Sequence, residues 1–138
     1  MDKALNYLAL ARTAGCAELG EEPVGAISRT GKAYLILVAS DASDHTWRRA
    51  KSFAAGTAQQ TLRVKFTKAE MGFAIGRTSL AIAAITDAAL ALALVQALGE
   101  PEKHKAVLDA LTEKVSKLKK RKDEAKAHKK NVRMGKKK

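Results

Sequence analysis

Positive charge is concentrated at one end of this chain. Of its 26 Lys and Arg residues, 15 fall between Pro101 and Lys138, against only five Asp and Glu. That segment carries +10 of the formal +12, leaving residues 1 to 100 near neutrality at +2. A run of Lys117, Lys119, Lys120, Arg121 and Lys122 followed by Lys126, Lys129 and Lys130 repels itself and offers little apolar surface to bury, so it cannot fold alone. Apolar residues make up 46% of the chain and crowd before position 100, enough for one core and too few for two. The expectation is one domain over residues 1–99. Residues 100–138 form an extension that starts as an amphipathic helix and dissolves into a disordered basic tail by about residue 122.

A short basic cluster only aids solubility, but thirteen cations in the final 25 residues argue for an arm that binds a polyanion. The candidates for phosphate contact are Lys119, Lys120, Arg121, Lys122, Lys129 and Lys130. Past Leu118 the only apolar side chains larger than Ala are Val132 and Met134, so the arm has nothing to insert into a bilayer. Nucleic acid is the favoured partner, through release of its condensed counterions. No signal peptide is read at the amino terminus. The Ala-rich run from Leu80 to Leu98 is broken by Thr86, Asp87 and Gln96, which argues against a membrane span. Cys16 stands alone, which excludes disulfides within the chain and suits a reducing, cytoplasmic setting.

Helical spacing of Leu5, Leu8, Ala9 and Arg12, closed by Gly15, predicts a helix over residues 2–14. Glu21, Glu22 and Pro23 suit the first turn of a second helix, running to about Thr30. Ala33 to Ala39 is a near-continuous apolar run that predicts a central strand covered on both faces. Ser40 to Ser43 supply caps for a third helix ending at Gly56. Thr61 to Phe66 alternates apolar with basic residues, as a half-exposed edge strand does. Thr67-Lys-Ala-Glu70 reads as a capping box opening a short helix that ends near Gly76. Leu80 to Ile85 is a third buried strand, and Asp87 caps a helix running to about Leu98, where Gly99 and Pro101 close the domain. Strands alternating with helices indicate an α/β fold with a sheet between helical layers. Beyond Pro101, Val107, Leu108, Leu111, Val115 and Leu118 form one apolar stripe.

No catalytic constellation emerges, so the expectation is no enzyme, no cofactor and no metal. Gly25 to Lys32 has one residue too many for a phosphate-binding P-loop, lacks its hydroxyl residue, and leaves a helix instead of opening one. His45, His104 and His128 share no ligand spacing. Glu21 and Glu22 point about 100 degrees apart and serve the helix dipole more simply than acid–base chemistry. Asp41 and Asp87 read as caps. Two features remain open. Trp47, with Arg48 and Arg49 beside it, is either a core indole or a flat stacking surface flanked by cations. Arg77, Thr78 and Ser79 form either a plain turn or a loop that hydrogen-bonds phosphate and base edges.

Taken in order, Leu8-Ala-Leu-Ala-Arg12-Thr-Ala-Gly15, Gly20-Glu21-Glu22, Gly31-Lys32-Ala33, Leu35 to Ser43, Thr67 to Gly76 and Ile82 to Asp87 resemble the ribosomal L-seven-Ae type superfamily, most of all its bacterial YlxQ-like branch. The resemblance spans about residues 4 to 97. It implies a three-layer α/β/α sandwich around a four-stranded mixed sheet, with an RNA-binding edge at Gly20, Glu21, Glu22, Trp47, Arg77, Thr78 and Ser79, to which Arg48 beside Trp47 would add a cation. In that family a Gly-x-Asn-Glu segment followed by Lys reads the sheared G·A pairs of a kink-turn. Here Glu22 stands at the Asn position, Pro23 at the Glu and Ala26 at the Lys, so the base-reading set is largely replaced. The implied role is a monomeric RNA-binding protein of the ribosome or its assembly, in contact with ribosomal RNA and with ribosomal proteins or assembly factors as further candidate partners, and with no membrane. The alternatives are a protein-interaction module that pairs the stripe Val107, Leu111, Val115 and Leu118 with a partner helix, and the substrate-binding half of a separate RNA methyltransferase.

Overall fold

The computed structural model describes residues 2 to 135, with side chains through Ala125. In chain order the elements are α1 (Lys3–Thr13), β1 (Ala17–Leu19), α2 (Glu21–Arg29), β2 (Leu35–Val38), α3 (Asp44–Ala54), β3 (Gln60–Arg63), α4 (Lys68–Ala74), β4 (Ile82–Ile85), α5 (Ala88–Ala97) and α6 (Lys105–Gly135). Four helices begin where the sequence supplies an acceptor for an orphan backbone N–H. Asp2 Oδ1 accepts from Ala4 N at 2.8 Å, Ser43 Oγ from Thr46 N at 3.2 Å, and Asp87 Oδ2 from Leu90 N at 2.9 Å. Thr67 and Glu70 form the expected reciprocal box, with both bonds at 3.1 Å. In contrast, α2 has Gly20 at its N-cap with φ +99 and no side-chain cap. That angle is open to Gly at little cost and strained for other residues.

The four strands lie in the order β1-β4-β2-β3. β4 runs antiparallel to both of its neighbours, while β2 and β3 are parallel and joined through α3. Helices α2 and α3 pack together over one face, and α1, α4 and α5 cover the other. Every residue of β2 and β4 is buried, as expected for strands covered on both faces, and β3 is the half-buried edge. α5 is apolar nearly all round because it is enclosed by the sheet, α1 and α6.

Three features depart from the sequence analysis. β1 has no signature in the residue pattern, because three half-buried residues carry no readable period; it is held by Thr86 N to Cys16 O at 2.8 Å and Gly20 N to Ile82 O at 3.0 Å. The extension is helical as far as Gly135 instead of dissolving near residue 122. No Gly or Pro interrupts residues 102 to 134, and a helix once nucleated adds Lys, Ala, Arg and Glu at little cost. Residues 136–138 lie outside the described residues. Finally, the core continues past Gly99: Leu111 is 2% exposed and belongs to the same cluster as Leu94 and Leu98, with Val107 and Leu108 packed against it. The first part of the apolar stripe assigned to a partner helix, Val107 to Leu111, therefore faces inward on a helix packed against α5 and the edge strand β3, while Val115 is half-buried and Leu118 is exposed.

Candidate nucleic-acid interface

The strand register gathers separate parts of the chain at one end of the sheet. β1 ends at Leu19 opposite Ala83, and β2 ends at Val38 opposite both Ile82 and Arg63. The carboxyl ends of three strands and the start of the fourth thus meet at one pole, together with the loops that follow them. Ala39 N donates to Ala81 O at 2.9 Å, Ser40 N to Phe66 O at 2.8 Å, and Leu80 N to Lys68 O at 3.0 Å. Asp41, read from the sequence as a cap for the helix after it, instead accepts from Lys68 N at 2.8 Å and so ties the β2–α3 loop to the start of α4. Ser43 caps α3.

Gly20, Glu21, Glu22, Arg77, Thr78 and Ser79 all sit at this pole. The Arg77–Ser79 loop is exposed and lies directly on the Cα of Gly72. A Cβ there would stand 2.7 Å from Ser79 N and 2.9 Å from Arg77 O, closer than a side chain tolerates. Arg77 N also donates to Gly72 O at 2.8 Å. Gly72 thus fixes the height of a loop whose Arg, Thr and Ser side chains are all in solvent.

Glu21 is engaged by α3. Arg49 Nε donates to its Oε1 at 2.7 Å, and His45 Nε2 lies 4.0 Å from the same oxygen. Arg49 also stands over the Phe53 ring, 5.2 Å from its centroid. Residues 45 and 49 therefore look toward α2. Trp47, about 200 degrees round the helix from them, looks toward β3. It is half-buried against the core, with the Arg63 guanidinium 5.1 Å and the Lys51 ammonium 5.5 Å from its ring centroid. Its cationic neighbours are thus Lys51 and Arg63, not Arg48 and Arg49, and the indole supplies Arg63 with an electrostatic partner where Nε and Nη2 find no hydrogen bond. Arg48 is exposed. The expected edge is therefore spread across the pole: the Gly20–Glu22 and Arg77–Ser79 segments adjoin the start of β4, and Trp47 stands at the β3 side, on Arg63.

One aromatic side chain at this pole was missed by sequence reasoning. Phe73, four residues before Arg77, is 78% exposed. Its phase on α4, out of step with buried Met71 and Ile75, was the available signal. The segments that meet at this pole are close to charge balance, carrying Glu21, Glu22, Asp41, Asp44 and Glu70 alongside Arg48, Arg49, Lys65, Lys68 and Arg77. It offers hydrogen-bonding and stacking groups more than a field.

The field belongs to α6. Lys119, Lys120, Arg121 and Lys122 are exposed on it, while the side chains of Lys129 and Lys130 lie outside the described residues. Among the described residues no cluster of metal-ligating side chains occurs, and no helix is long and apolar enough to cross a membrane.

No family model and no curated protein sequence matches the chain. Solved structures do. A Bacillus halodurans C protein of unknown function superposes with a TM-score of 0.66 at 26% identity, over 71% of this chain and 98% of that one. The Giardia lamblia 15.5kD RNA binding protein superposes with a TM-score of 0.59 at 18% identity, over 75% of this chain and 85% of that one. More than a quarter of this chain has no counterpart in the Bacillus protein, which is itself matched almost end to end. The three-layer fold implied by the sequence motifs is the fold found, and it is shared with a protein that binds RNA.

Proposed function

We propose that this chain is a non-catalytic RNA-binding protein of the cytoplasm, acting on the ribosome as an assembly or translation accessory component. The observation that carries the reading is the union of two unlike parts in one molecule: a nearly neutral body with the fold of an RNA-binding protein, and an exposed cationic helix joined to it without a break. The body supplies hydrogen-bonding groups at Arg77, Thr78 and Ser79. α6 supplies phosphate contacts through Lys119, Lys120, Arg121 and Lys122. Glu22 repels phosphate at the start of α2, where a kink-turn reader needs its base-reading Asn, while Glu21 beside it is held by Arg49, so the favoured RNA is one of another shape, ribosomal RNA first of all.

The test is a salt titration of binding to a kink-turn RNA, the same RNA without its G·A pairs, and bulk ribosomal RNA, comparing the full chain with residues 1–118. The expected result is ribosomal RNA binding with little preference for the kink-turn, and a log–log salt slope that collapses on truncation, by about 0.7 to 0.9 for each phosphate no longer neutralised. Equal binding by the truncated chain would remove the arm from the account. A tenfold preference for the intact kink-turn would show that Glu22, Pro23 and Ala26 still permit the family's readout.

A further inference from the structure

The two parts of this proposed RNA-binding machinery lie at opposite ends of the molecule. β2 and β3 run parallel, so the pole that carries Arg77–Ser79 is at their carboxyl ends, and their amino ends at Tyr34 and Gln60 face away from it. α5 starts after β4 at that far pole and returns to Leu98, whose carbonyl accepts from Lys65 Nζ at 3.4 Å just past the end of β3. α6 then packs back along α5 and heads for the far pole. By Lys114 and Lys117 it has reached the amino ends of β2 and β3. There it borders a cleft of about 340 Å³ lined also by Tyr34, Gln59, Gln60 and Leu111. Lys119 to Lys122 follow about 12 to 16 Å beyond Leu111 along the helix axis. The two poles are about 23 Å apart along β2, from Ala33 to Ser40.

The far cleft has the chemistry of a strand-binding groove. Its floor is firm: buried Gln59 accepts from Ala33 N at 3.0 Å and donates to Ser28 O at 3.2 Å, pinning the starts of β2 and β3 to the end of α2. Tyr34 offers a half-buried ring, and Lys114 and Lys117 stand at the rim, with Glu113 held by Lys117 at 3.0 Å. A ring for a base beside cations for its phosphates is the arrangement that unpaired nucleic acid takes. The cations of α6 continue this surface outward, with only Asp123 and Glu124 against them up to Ala125.

We infer that this cleft and the exposed face of α6 form a second RNA surface, so that one molecule holds two RNA segments at once, one at each pole. The inference rests on the RNA-binding reading above. It makes the chain a bridge between RNA segments that a single compact binding face could not join.

Two short RNA stem-loops, one with a donor dye and one with an acceptor, are mixed with the full chain while total binding is followed by mobility shift. Energy transfer is expected to rise at limiting protein and to fall again in excess, when each RNA occupies its own protein. Changing Lys119, Lys120, Arg121 and Lys122 together to Gln, with helicity checked by circular dichroism, should cut the transfer by about tenfold as the phosphates lose their counter-charges. Tyr34→Ala should lower it without altering the salt slope. RNA bound with no transfer at any ratio overturns the bridge and leaves the RNA-binding reading intact. Absence of binding to either RNA overturns both. Transfer undiminished in the four-site variant, or a protein dimer in sedimentation at the same concentrations, assigns the bridging elsewhere and also overturns the inference.

Discussion

Arg49 of α3 holds Glu21, the first residue of α2, with its Nε 2.7 Å from the carboxylate oxygen. A cation that the sequence places beside Trp47 thereby neutralises the acidic start of the neighbouring helix. Arg49→Ala should cost no more than about 1 kcal/mol, because both partners are partly solvated. It should weaken RNA binding by more than the removal of one cation implies, since Glu21 is left uncompensated. Glu22→Gln should strengthen binding by about two- to fivefold at low salt and by less at high salt. Affinity measured at two ionic strengths for both variants checks the pair.

Gly72→Ala places a methyl group against the backbone of Ser79, and neither side can yield without moving the loop. A loss of about 1 to 3 kcal/mol is expected in denaturant unfolding. The accompanying amide shifts should concentrate at Arg77 to Leu80, whereas Gly31→Ala, with nothing near its Cβ, strains only a turn.

Leu111 separates a helix that belongs to the body from one reserved for a partner. Because it is buried in the common core, Leu111→Ala should destabilise the isolated protein by about 2 to 5 kcal/mol. Leu118→Ala, at a residue exposed on the same helix, should change stability by less than about 0.5 kcal/mol. Thermal unfolding of the purified chain distinguishes the two; an unchanged midpoint for Leu111→Ala would return the stripe to a partner.

His104 sits buried in the turn between α5 and α6 with no hydrogen-bond partner for Nδ1. Burial, with a smaller push from Lys103 and a weaker opposing pull from Glu100, holds its pKa below the ordinary 6.5. The unfolded chain therefore binds a proton more readily than the folded one. Stability contributed by the neutral ring is present above pH 6.5 and is lost as pH falls from there through the lower folded value. Unfolding free energy measured between pH 8 and pH 5 should decline below 6.5, and His104→Phe should flatten that part of the profile.

Residue order and local chemistry alone determined most elements of this molecule. The apolar runs at Leu35–Val38 and Ile82–Ile85, the capping box at Thr67 and Glu70, and the caps at Ser43 and Asp87 are local signals, set by neighbours within a few positions. The alternation through Arg63 announced an edge strand for the same reason. Three results were decided only by tertiary structure. β1 exists because Gly20 and Cys16 find partners at Ile82 and Thr86, about sixty to seventy residues away, and a three-residue strand has no period of its own. Trp47 and Glu21 part company because α3 lies between α2 and β3 and must face both, a division visible only once those elements are packed. The cationic segment, self-repelling when considered alone, continues a helix that Leu111 anchors in the core. Burial at one end supplies the nucleus that the charged sequence lacks, and the antiparallel packing of α6 on α5 sends its charge to the pole opposite Arg77.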